Sequence, residues 1–181
     1  MCLIADIGGT NARFALVEEG STTPQHERTL SCANYHTLVD AVLAYLEDAS
    51  QPMPETASLA IATPVLKDRV VMTNHVWDLS VEETRKALGL KSLRVINDYT
   101  ALALALPYLG DDDFRKVGQG VSVEKQTRAV LGPGTGLGVS GCIYTGEYWL
   151  PIQGEGGHVS YGSLDDREAE IIQVILKHHD F

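Results

Sequence analysis

Apolar and polar positions change their period several times along the chain, and each change predicts an element. Leu3 to Ala5 is apolar, Gly8-Gly9 interrupts the run, and Ala12 to Val17 resumes it. That pattern predicts a hairpin with a glycine turn. His26 to Ser31 predicts a third strand. From Tyr35 to Ala49 the apolar residues Leu38, Val39, Val42, Leu43, Tyr45 and Leu46 recur at helical spacing, and Pro52 and Pro54 end the pattern. Ala57 to Ala62 and Val70 to Met72 read as strands. Ser80 followed by Glu83 forms a capping-box signature for a helix closed by Gly89. Leu93 to Ile96 reads as a buried strand, and Thr100 to Leu106 as a short apolar helix stopped by Pro107.

Strands interleaved with helices in this order predict an α/β layered domain with a mixed sheet. Gly110-Asp111-Asp112-Asp113 reads as a surface connection, so a first lobe is expected over 1–110 and a second unit over 111–181. In the second unit Arg128 to Leu131 is a strand leading into Gly132-Pro133-Gly134-Thr135-Gly136. Gly138 to Ile152 predicts a hairpin turning at Thr145-Gly146, and Asp165 to His179 an amphipathic helix. The acidic first turn and basic last turn of that helix suit its dipole. A glycine-and-threonine turn thus opens each unit, at Gly8-Gly9-Thr10 and at Gly134-Thr135-Gly136. That repetition predicts two similar lobes facing each other across a cleft.

Composition narrows the partners. The 181 residues carry 24 acidic against 14 basic side chains, a net charge of -10. Such a chain offers no footprint for nucleic acid or an anionic membrane face. An anionic ligand must then be held by backbone dipoles or a metal ion. Ala101 to Leu106 is too short to span a bilayer. Cys2, Cys32 and Cys142 are scattered without metal-ligand spacing, which fits small core or surface residues in a reducing, cytoplasmic setting.

Four motifs can carry chemistry, and each has a plainer reading beside it. Gly8-Gly9-Thr10 can bring backbone N–H groups and a hydroxyl against a phosphate, with Asp6 orienting a magnesium ion through its waters. It can equally be a simple hairpin turn. Gly134-Thr135-Gly136 offers the same cradle and the same plain alternative. The chain lacks the P-loop lysine pattern and the Rossmann glycine spacing. Asn97-Asp98 follows an apolar strand, where open α/β sheets place their ligands. Asp98 can act as base for a hydroxyl nucleophile, or either residue can cap the following helix. Gly154-Glu155-Gly156-Gly157-His158 puts a carboxylate and an imidazole on a glycine-rich loop. That pair suits a polyol's hydroxyls, and the alternative is a surface loop.

The string Asp6-Ile7-Gly8-Gly9-Thr10-Asn11-Ala12-Arg13-Phe14 resembles the opening of bacterial-type glucokinases of the hexokinase–actin superfamily. The resemblance continues through Met72-Thr73-Asn74-His75-Val76-Trp77, Val95-Ile96-Asn97-Asp98-Tyr99-Thr100-Ala101, Gly134-Thr135-Gly136-Leu137-Gly138-Val139 and Gly154-Glu155-Gly156-Gly157-His158. It implies an actin-like ATPase (ribonuclease H-like) lobe plus an incomplete second lobe of the same type. It also implies transfer of the ATP γ-phosphate to the 6-hydroxyl of glucose, with Mg2+. On this analogy Asp98 is the general base, and Asn97, Asp98, Glu155 and His158 hold the sugar. Ala5, Asp6, Ile7, Gly8, Gly9 and Thr10 meet the nucleotide from one lobe, and Gly134, Thr135 and Gly136 from the other.

Glucokinases of this type run much longer. A later carboxylate contact to the sugar, the adenosine-binding glycine motif and a C-terminal helix returning to the first lobe are missing here. The resemblance therefore implies a truncated chain that exposes part of its intended core, and association into a dimer to cover it. Two other readings stand beside glucokinase: a sugar-binding remnant without catalysis, and a kinase for another hexose or amino sugar.

Overall fold

The computed structural model describes residues 1–72, 77–133, 136–154, 156–160 and 162–178. Strands β1 (Cys2–Ile7) and β2 (Asn11–Val17) form the expected antiparallel hairpin around the glycine turn. β3 (Gln25–Ser31) pairs with β2, and its exposed, polar side chains suit an edge. β4 (Thr56–Ile61) and β7 (Ser92–Asn97) then add in parallel on the other side of β1. The result is a five-stranded mixed sheet in the order β3-β2-β1-β4-β7. A small ribbon pairs β5 (Arg69–Val71) with β6 (Asp78–Ser80).

The core lies on one face of this sheet. Leu3, Ala5 and Ile7 of β1, Phe14 and Leu16 of β2, and Ala57, Leu59 and Ile61 of β4 point into it. The helix α1 (Leu38–Asp48) covers them with Leu38, Ala41, Val42, Tyr45 and Leu46. The Tyr45 ring stacks on Phe14 at 5.1 Å between centroids, and its hydroxyl donates to the His26 carbonyl at 3.1 Å. Phe14→Ala is therefore expected to cost about 3–5 kcal/mol of stability, through lost transfer energy and an uncollapsed cavity. Urea denaturation checks this.

Three local expectations change. α1 starts at Leu38 rather than Tyr35, because Thr37 and Asp40 form a reciprocal capping box. At α2 (Val81–Ala87) Ser80 accepts from the Glu83 N–H as expected, but the second half of the cap is supplied by Asp68. Its carboxylate takes the Glu82 N–H at 2.9 Å and the Ser80 hydroxyl at 2.5 Å. β7 is half-buried rather than fully buried, since it is the sheet's last strand.

α3 (Asp98–Ala105) follows β7 directly. Residues 108–127 are exposed and carry no strand. β8 (Arg128–Pro133), β9 (Leu137–Tyr144) and β10 (Trp149–Ile152) form a second, antiparallel sheet in the order β10-β9-β8. α3 packs on this sheet more extensively than on β4 and β7, so it is a spacer shared by both sheets. The Arg128 guanidinium fastens the arrangement: it donates to the Leu106 carbonyl at 2.7 Å and lies over the Trp149 ring. The helix α4 (Asp166–His178) closes the described chain with no buried residue. Among the described residues of β8–β10 and α4, Cys142 is the one buried apolar side chain. Leu131, Ile143, Leu150 and Ile175 are exposed, as expected for an apolar face left uncovered.

Candidate active site

The parallel strands β1, β4 and β7 end level with one another. Ile7 is in register with Ile61, and Ile61 with Asn97. The segments that follow these residues therefore share one carboxyl edge: the turn Gly8-Gly9-Thr10, the Ala62-Thr63 segment, and Asp98. Ligands of open α/β sheets gather at such an edge.

The glycine-threonine turn is tied at both ends. The Gly8 N–H donates to the Asn11 carbonyl at 2.9 Å, and the Cys32 N–H to the Thr10 carbonyl at 2.9 Å. The buried Cys32 thiol lies beneath it, 3.5 Å from the Gly8 carbonyl. Ala5 and Ile7 direct their side chains into the core, and their backbone lies in β1 between β2 and β4, so they support the turn from below. Asp6 is on the opposite face and half-exposed, and the Arg13 guanidinium, its cross-strand partner, donates to it at 2.8 Å.

At the end of β7 the capping role falls to Asn97 and not to Asp98. Asn97 is the helix cap: its side-chain oxygen accepts from the Thr100 N–H at 3.2 Å. Its amide group donates to Asp98 Oδ1 at 2.8 Å and to the Thr63 carbonyl at 3.4 Å. Asp98 Oδ1 also accepts the Tyr99 N–H at 2.9 Å. Among the described residues no other residue donates to Asp98 Oδ2, which leaves it open to a hydroxyl. Burial pushes the Asp98 carboxyl up from its ordinary range, and the negative charge of Asp6 pushes the same way. The Tyr99 N–H, the N–H of Asp98 itself and the Asn97 amide oppose that rise. A carboxylate raised in this manner is a better proton acceptor.

The 156–158 turn of the glycine-rich loop is packed on β9. A Cβ at Gly156 would lie 2.7 Å from Cβ of Val139, and one at Gly157 would strike the Leu137 carbonyl. Both glycines are thus required by close approach. His158 is exposed at the end of this turn. Gly136 is exposed just ahead of β9, with open space around the position of a Cβ. Gly134, Thr135 and Glu155 lie outside the described residues, as do residues 73–76 of the second motif.

The sequence places Tyr99 and Arg13 only within longer motifs and Cys32 only as a small core or surface residue, and gives none of them a part in the site. For Arg13 the signal was its alternation with Asp6 across a tight hairpin. For Tyr99 and Cys32 the contacts are long-range, and no local pattern announces them.

The layered chain with its mixed β3-β2-β1-β4-β7 sheet has the actin-like ATPase fold of glucokinases and sugar kinases. A glucokinase from an Antarctic psychrotroph superposes with a TM-score of 0.87 at 35% identity, over 98% of this chain and 57% of that one. The glucokinase of Balamuthia mandrillaris, solved with glucose, superposes at 0.74 and 22% identity, a likeness of fold. The glucokinase family model matches residues 3–180, and the chain belongs to the glucokinase family. It is 46% identical over 179 residues to the glucokinase of Aromatoleum aromaticum, covering 98% of this chain and 54% of that protein. It is 47% identical over 175 residues to the bifunctional protein glk of Burkholderia lata, covering 27% of it. The chain thus spans about half the length of the glucokinases it matches.

Proposed function

We propose that this chain supplies the base, the two phosphate turns and the sugar loop of a glucokinase, which transfers the ATP γ-phosphate to the 6-hydroxyl of glucose. The observation that carries the reading is Asp98, held by two donors on one oxygen at the carboxyl edge and raised in pKa by burial. Asp98 takes the proton of the 6-hydroxyl, the sugar oxygen forms a bond to the γ-phosphorus, and ADP leaves. Asn97, Glu155 and His158 orient the sugar. Residues 5–10, through the Gly9 and Thr10 N–H groups and the Thr10 hydroxyl at the end of β1, and Gly134, Thr135 and Gly136 hold the nucleotide, as phosphoryl transfer asks mainly for positioning and charge stabilisation.

The turn suits a phosphate. Asp6, half-exposed and electrostatically coupled to Asp98, suits a hydrated Mg2+, which when bound offsets phosphate charge. The product, glucose 6-phosphate, enters glycolysis, and the setting is cytoplasmic. A lobe over 1–110 and part of a second over 111–181 fit the exposed 108–127 connection. The exposed apolar face of β8–β10 and α4 supports association into a dimer.

A coupled assay of ADP release across a panel of hexoses tests the activity, using the intact gene product. Turnover with glucose is expected. Turnover with a different acceptor and none with glucose overturns the substrate, and calorimetric glucose binding without ADP formation favours the sugar-binding remnant.

A further inference from the structure

Tyr99 lies between the two halves of the site, and it touches both. Its backbone N–H donates to Asp98 Oδ1 at 2.9 Å. Its phenol donates to the Gly132 carbonyl at 2.8 Å, at the root of the hairpin that carries Gly134-Thr135-Gly136. The ring occupies a slot with a particular floor. Gly132 and Gly138 are cross-strand partners in β8 and β9, and a Cβ on either would run into the Tyr99 ring or its hydroxyl. An aromatic ring laid over a glycine pair restores the packing that the glycines lack. Two glycines facing each other across a hairpin would otherwise weaken it.

We propose that Tyr99 is a positioning residue, a brace that fixes the distance between the Asp98 carboxylate and the second phosphate hairpin. The inference rests on the phosphoryl-transfer reading above. One residue holds the proton acceptor by its backbone and the phosphate hairpin by its side chain. The ring, anchored beside Asp98, thereby resists a shift of the hairpin. α3 supplies the lever, since Asp98 and Tyr99 form its first turn and its body packs on β8–β10.

The test uses the intact gene product with two variants. Tyr99→Phe keeps the ring and removes the hydroxyl. Calorimetry with Mg2+ and a non-hydrolysable ATP analogue should show affinity weakened about three- to tenfold, the size of one lost hydrogen bond. Glucose affinity should stay within twofold. A lowered melting temperature with both affinities unchanged would overturn the brace and leave Tyr99 a packing residue. The slot is read separately by a double-mutant cycle in thermal melting. Gly138→Ala should destabilise the parent and do far less harm in a Tyr99→Leu background, where the ring is gone. Equal losses in both backgrounds would contradict the slot. Because neither readout needs turnover, an inactive parent protein would count against the proposed function and leave the brace to be judged by these two measurements.

Discussion

Asp98→Asn is expected to lower turnover by about a hundred- to ten-thousandfold, the span of a lost general base, while glucose affinity stays within a few-fold. The asparagine keeps an oxygen that can accept from Asn97 and Tyr99, so the local geometry is preserved. What it loses is the capacity to take a proton. Steady-state rates and calorimetric binding of glucose separate the two effects, and a near-normal rate would remove Asp98 as the base. The same substitution has a stability signature of definite sign. Burial and Asp6 raise the Asp98 carboxyl in the folded chain above its ordinary value near about 3.9. The folded state then binds the proton more tightly than the unfolded one. Stability therefore falls as pH rises through the interval between the two values. Asp98→Asn should melt above the parent at neutral pH, and the difference should close as pH drops below the unfolded range. An advantage that grows on acidification would contradict the assignment.

Gly157→Ala is the second large effect. The new methyl would collide with the Leu137 carbonyl, and backbone cannot yield as a flexible side chain can. Either the 156–158 turn lifts away from β9 or the start of β9 moves. Both displace His158 relative to the edge that carries Asp98. A displacement of about 1 Å can cost on the order of a hundredfold in rate, and kcat/KM for glucose is expected to fall by about that factor. Overpacking should also cost about 1–3 kcal/mol. Normal kcat/KM in the variant would mean that the turn does not rest on β9 during turnover.

Much of this arrangement was legible in the sequence because it is local. A glycine pair between two apolar runs fixed the hairpin β1–β2, and a helical period marked α1. Other features depend on distant partners. β6 has three residues with one buried apolar side chain, Leu79, and exists because β5 pairs with it. The half-buried state of β7 follows from its place at the sheet's end, which no residue within it encodes. The choice between cap and base at Asn97-Asp98 was open locally. The Thr100 N–H takes the Asn97 oxygen, which gives the cap to Asn97 and leaves Asp98 at the edge, where the proposed base would act. Tyr99 reads in sequence as one more large residue at a helix start. Its partners stand 33 and 39 positions away, at Gly132 and Gly138. Those glycines in turn read as turn formers, whereas the fold uses their missing Cβ atoms as space.

The central claim is that this carboxyl edge directs phosphate onto one hydroxyl of glucose. Phosphorus NMR of a reaction mixture of the intact gene product, ATP, Mg2+ and glucose tests it directly. The account predicts a single new phosphomonoester on the 6-oxygen, formed in step with ADP and lost with Asp98→Asn. Inorganic phosphate alone, or a phosphate on another hydroxyl, would contradict it.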